Sequence, residues 1–108
     1  MRKEIGKIQK IKFGYGGYQD AMIGVSFTLG GESWGVSDFW GAWAGERCES
    51  TQWSEQDRIN TLGETSMRIS KILDDSKKKD LNDMLNVPIE CTFDGNLLKS
   101  WRILTEVI

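Results

Sequence analysis

The chain contains no histidine. That removes both the commonest general base and the commonest metal-binding imidazole. The only cysteines, Cys48 and Cys91, lie far apart and form no CxxC pair, so a zinc site is not expected. Two free thiols suit a reducing cytoplasm. No apolar run approaches the roughly 18 residues of a membrane span, and the basic start leads into no signal-peptide core, so neither insertion nor export is expected. GxxxxGK[ST] and HExxH are both missing. Gly14, Gly16 and Gly17 (GYGGY) are followed by neither the lysine nor the helix of a phosphate loop, which leaves a turn. Asp20, Glu32 and Asp38 are scattered single acids and outline no hard-cation loop. The expectation is a protein with no cofactor, no metal and no catalytic residue: not an enzyme.

What is present is ordinary globular material. The chain has 108 residues, 39% hydrophobic and 28% charged, which fits one domain spanning 1–108 and argues against disorder. Its five tryptophans are more than a core of this size hides easily. Net charge is −2, which recommends no nucleic-acid partner overall. The distribution is uneven. Arg2, Lys3, Lys7, Lys10 and Lys12 face only Glu4 before residue 18, while residues 19–65 carry eight acids against Arg47 and Arg58. Solvated surface accounts for most such patterns; an electrostatically complementary partner is the alternative.

Periodicity predicts an α+β fold. Residues 7–13 (KIQKIKF) alternate, as in a strand whose lysines guard an edge. Ala21, Ile23, Val25, Phe27 and Leu29 alternate with small or polar residues, giving a second strand. Gly30-Gly31 then suits a two-residue hairpin loop into a short strand over 33–37. Residues 38–53 show neither period and read as a structured aromatic loop. Ser54 with Asp57 resembles a capping box, with Trp53 placed as a staple residue. Ile59, Leu62, Ser66, Ile69 and Leu73 form the apolar stripe of a helix of about 20 residues. Gly63, beside that stripe, suggests a close backbone contact. Asp80 suits the cap of one further turn. Val87-Pro88 opens a strand with Ile89, Cys91 and Phe93 inward, and Asp94-Gly95-Asn96 turns it into a last strand. There Trp101, Ile103 and Val107 face inward, with Leu98 and Leu104 outside. The order strand-strand-strand-helix-strand-strand packs naturally as an antiparallel sheet of about five strands with one main helix on a face.

The functional candidates are aromatic. Tyr15, Tyr18, Trp34, Phe39, Trp40 and Trp43 are interleaved with glycines that let rings lie flat, on their own sheet or on a ligand. Exposed rings would mark a protein interface, a homodimer included. Sugar stacking on tryptophan stays open. A nucleic-acid role needs a basic surface, and Lys10, Lys12, Lys99 and Arg102 could supply one if their strands are neighbours.

The stretches GGYQDAMIGVSFTLGG, WGVSDFWGAWAG and LLKSWRILTEVI resemble a group of small proteins of tailed phages and prophages. The resemblance covers most of the chain and carries no known chemistry, so no site residues transfer. It implies an accessory protein acting in the bacterial cytoplasm by binding a host or phage protein, inhibition of a defence system included.

Overall fold

The structure, a computed structural model, describes residues 1–45 and 51–108. Arg47 and Cys48, read from the sequence as a cation of the acidic middle and a free thiol, lie outside the described residues. The elements are β1 (Arg2–Gly16), β2 (Met22–Gly30), β3 (Gly35–Trp43), α1 (Glu55–Ser76), β4 (Pro88–Asp94) and β5 (Leu97–Ile103). All strand pairs are antiparallel, in the order β3-β2-β1-β4-β5, and α1 packs on the sheet. The expected α+β class and element order are as found.

β1 is the strand both halves of the sheet share. Residues 7–16 pair with β2 and residues 2–7 with β4. At about 3.3 Å per residue β1 is roughly 50 Å long, and the molecule's longest dimension is 48 Å. A bulge between Ile8 and Lys10 lets the strand turn from one half to the other. The inserted Gln9 resets the alternation, so that Ile8 and then Ile11, Phe13 and Tyr15 share an inner face with Leu29, Phe27, Val25 and Ile23. A second bulge, at Lys99, brings Leu98 inward against Phe93 while Trp101 stays inside. That extra residue is why Leu98 is not on the outer side, as alternation predicts. Leu104 is also buried, and Val107, expected inside, is exposed in a short 3-10 turn after the strand.

β3 differs most from expectation. It is not a short strand followed by a loop: it runs from Gly35 to Trp43, through the segment read as irregular. Val36, Asp38, Trp40 and Ala42 face in; Ser37, Phe39, Gly41 and Trp43 face out. A carboxylate among the inward residues and a glycine among the outward ones hide the period-two pattern. The β2–β3 connection is a four-residue turn, not a two-residue loop, in which the Gly31 N–H donates to the Trp34 carbonyl at 3.1 Å.

The two edge strands, β3 and β5, are not bonded to each other by backbone among the described residues. They meet through side chains. The Trp40 and Trp101 indoles stack at 5.3 Å and 17°, and the Phe27 ring lies 4.8 Å from one and 5.1 Å from the other. Both indole N–H groups donate to Oδ2 of Asp38, at 2.9 and 2.8 Å, while Oδ1 accepts the Phe39 backbone N–H at 3.0 Å. One carboxylate on β3 therefore holds an indole of β5, and α1 packs against both strands.

The helix begins as expected: Ser54 caps the Asp57 N–H, and Asp57 returns a bond to the Ser54 N–H. The Trp53 staple position contacts Arg58, whose guanidinium lies 4.3 Å from the ring centre. Its buried face is rotated from the predicted stripe. Thr65, Ile72 and Ser76 are buried, Ile69 and Leu73 pack beside them, and Ile59, Leu62 and Ser66 are exposed. Thr65 and Ser76 pass as core residues because their hydroxyls donate to the carbonyls of Thr61 and Ile72, at 2.8 and 2.7 Å. Gly63 makes no close contact: a Cβ there would meet nothing within 4 Å. Gly63→Ala is expected to stabilise the fold by about 0.5–1 kcal/mol through helix propensity alone, measured as a higher urea midpoint at unchanged slope.

Candidate ligand-binding face

The outward positions of β1, β2 and β3 form a grid fixed by strand register. Across the three strands the rows are Lys10, Thr28 and Ser37; Lys12, Ser26 and Phe39; Gly14, Gly24 and Gly41; then Gly16, Met22 and Trp43. Lys3, Ile5 and Lys7 continue the β1 column beyond the bulge. The face thus offers lysines along one strand, hydroxyls in the middle and two rings on the far strand. None of the three strands places a carboxylate on its outward positions. Glu4 and Asp38 both face inward.

Gly41 and Gly16 seat the Phe39 ring. A Cβ on Gly41 would come within 2.8 Å of one edge of that ring, and a Cβ on Gly16 within 2.9 Å of the other. The ring therefore reaches from β3 to β1 across the middle strand, with its other side outward, and Phe39 is only partly buried. Gly24 and Gly41 also allow β2 and β3 to approach closely, since a Cβ on Gly24 would sit 2.1 Å from the Trp40 carbonyl oxygen. Trp43 is likewise partly buried, beside Met22 in the row below.

Of the aromatic candidates, Phe39 and Trp43 lie on this face, and Tyr18 is exposed in the β1–β2 turn that borders it. Tyr15 is exposed but points to the inner side. Trp40, expected in the exposed aromatic set, is a core residue at 6% exposure, because position 40 falls on the inward parity of β3. Trp34 packs edge-on to Phe93 at 5.6 Å and against Gly6 and Gly31.

The four basic candidates are not brought together. Lys10 and Lys12 sit on the half of β1 that pairs with β2, while Lys99 and Arg102 sit on β5, with β4 between. Lys99 borders a cavity of about 160 Å³ with Asp38, Trp40, Arg68 and Trp101. Arg102 is already neutralised. Its Nη atoms donate to both Glu106 oxygens at 2.8 Å, and its Nε donates to Glu90 at 3.1 Å. The Arg102 hydrogen bonds hold the Glu106 carboxyl down at about 2. Sequence reasoning missed Lys3, Lys7, Ser26, Thr28 and Ser37 as members of the face. Ser26 and Thr28 follow from the β2 alternation and Ser37 from β3, but joining them into one face needs the strand register.

The Cys91 thiol is pushed up to about 11, first by burial and then by the nearby Asp38 charge, so it is held neutral in the core. Among the described residues no cluster of metal-ligating side chains occurs, and no helix is long and apolar enough to cross a membrane. No protein-family model, curated protein or solved structure matches this chain.

Proposed function

We propose that the outer face of β1–β2–β3 binds single-stranded nucleic acid. The observation that carries this reading is the grid itself: Lys7, Lys10 and Lys12 in one column, the Phe39 and Trp43 rings in another, hydroxyls between them and no acid among the outward positions. Bases stack on aromatic faces regardless of sequence, and lysines beside them neutralise the backbone. The net charge of −2 does not oppose this, because the helix carries Glu64, Asp74 and Asp75 while the lysines lie along β1; Asp57 and Arg58 border only the Trp43 end of the face.

Connectivity supports the same reading. Five antiparallel strands, a first strand shared by two three-stranded halves, a helix between the third and fourth, and edges that meet without backbone bonds describe a partly open barrel. Five-stranded barrels of this kind use the face of strands two and three, with the flanking turns, to hold oligonucleotides and oligosaccharides. That is a likeness of topology alone. The charged column favours the polyanion over the sugar.

Fluorescence anisotropy with a labelled oligothymidylate of about 20 nucleotides tests the proposal. Binding is expected at about 50 mM salt, with affinity falling on a log–log plot by about 0.7 per phosphate neutralised. Phe39→Leu is expected to weaken it roughly 5- to 150-fold, the range of one lost base stack. Lys10→Glu with Lys12→Glu removes binding; Lys99→Glu leaves it unchanged. No binding at low salt, or equal losses from Lys99→Glu, overturns the reading.

A further inference from the structure

We infer that the free edge of β1 between Lys10 and Gly16 pairs, antiparallel, with the same segment of a second copy of this chain. This goes beyond the ligand reading and stands without it.

β1 has β2 along one side from residue 7 to residue 16, but on its other side β4 reaches only residues 2–7. The last bonds on that side are made by Ile8, whose N–H donates to the Val87 carbonyl at 3.1 Å and whose carbonyl accepts from the Asn86 N–H at 2.8 Å. Beyond Ile8 no described strand lies along this edge. An open edge of that length is a template for another strand. The side chains beside it are unusually apolar for a surface. Phe13 and Tyr15 are each 66% exposed on the inner side, because α1 packs against β3 and β5 and leaves this arm uncovered.

The segment KIKFGYG is complementary to itself when reversed. Centring an antiparallel pair on Phe13 opposes Phe13 to Phe13 and Ile11 to Tyr15 on the inner side. On the outer side it opposes Lys12 to Gly14 and Lys10 to Gly16. Every lysine then faces a glycine, apolar residues face apolar residues, and the whole edge is used. Moving the centre one residue toward the N-terminus sets Lys12 against Lys12, which like-charge repulsion disfavours. The lysines are thus a register device within this pairing and a barrier to other registers. They also stay close enough on the diagonal to repel, so screening strengthens the pair.

The experiment uses the full chain without nucleic acid, which keeps its outcome separate from that of the ligand reading. Sedimentation equilibrium over about 10–200 µM is expected to show a monomer–dimer equilibrium that tightens from about 0.1 to 1 M salt, as the screening length falls from ~10 to ~3 Å. Phe13→Asp opposes two carboxylates and is expected to weaken the dimer at least about tenfold; circular dichroism verifies that this variant is folded. In a Cys48→Ser background, Phe13→Cys is expected to cross-link to itself, and Lys10→Cys to a Gly16→Cys partner but not to itself. A monomer at every concentration and salt overturns the inference. So does a dimer in which Lys10→Cys joins itself, which would place the contact in another register.

Discussion

Asp38→Ala is expected to lower stability by about 3–5 kcal/mol, the largest loss for any single polar residue in the fold. Its carboxylate accepts from the Trp40 and Trp101 indoles and from the Phe39 amide. Hydrogen bonds to a charged acceptor contribute about 1.5–3 kcal/mol each, and donors left without a partner add desolvation cost. Partial access of water to Trp101 keeps the total below the simple sum. Against a typical total of about 5–15 kcal/mol, such a loss leaves the domain marginal. The melting temperature is expected to fall by at least about 12 °C, at roughly 4–8 °C per kcal/mol for a domain near this size. Asp38→Asn keeps one carbonyl acceptor, which turned toward the two indoles leaves the Phe39 N–H facing the amide NH2, one stranded donor at about 1–3 kcal/mol. Urea denaturation followed by tryptophan fluorescence measures both. A loss below about 1 kcal/mol for Asp38→Ala would show that packing of the rings, not the shared carboxylate, holds β3 to β5.

The second large effect is expected at Gly24. Its added Cβ would lie 2.1 Å from the Trp40 carbonyl oxygen and 2.6 Å from the Gly41 Cα. Both obstacles are backbone, so no side chain can rotate away; β2 and β3 have to separate. Overpacking of this kind costs about 1–3 kcal/mol where neighbours can yield, and Gly24→Ala is expected at or above the upper end, about 3 kcal/mol. Gly14 is the control, in the same row on the next strand. A Cβ there meets nothing within 4 Å, so Gly14→Ala is expected to fall within about ±0.5 kcal/mol. Equal effects at the two positions would mean that strand propensity, rather than close approach, governs the row.

The elements whose inward residues are all apolar could be read from the chain. β2 keeps Val25, Phe27 and Leu29 in strict alternation, and β4 does the same with Ile89, Cys91 and Phe93. α1 was legible in its start, because Ser54 and Asp57 bond locally and need no tertiary partner. Its buried face was not, since Thr65 and Ser76 count as polar until their hydroxyls are seen bonded to their own helix. β3 failed for a related reason. Asp38 looks like a loop acid and acts as an inward bridge between two tryptophans more than 60 positions apart, which no local pattern encodes. The candidate face is half legible. Lys10, Lys12, Phe39 and Trp43 stand out in the chain, but grouping them requires knowing that β1 lies next to β2 rather than β5, which only the strand order decides.

The sharing of β1 between two halves also bears on how the chain is made. Arg2–Phe93 and Lys7–Pro88 are partners, so a segment synthesised early waits for one that leaves the ribosome some eighty residues later. In that interval β1, β2 and β3 can form a meander, but the indole of Trp40 has no Trp101 to meet and Phe27 has no roof. Closing so long a loop is slow. Until residues 88–103 arrive the nascent chain therefore carries an aromatic surface that α1 alone can cover only in part, and maturation ends with that last hairpin rather than beginning at the first.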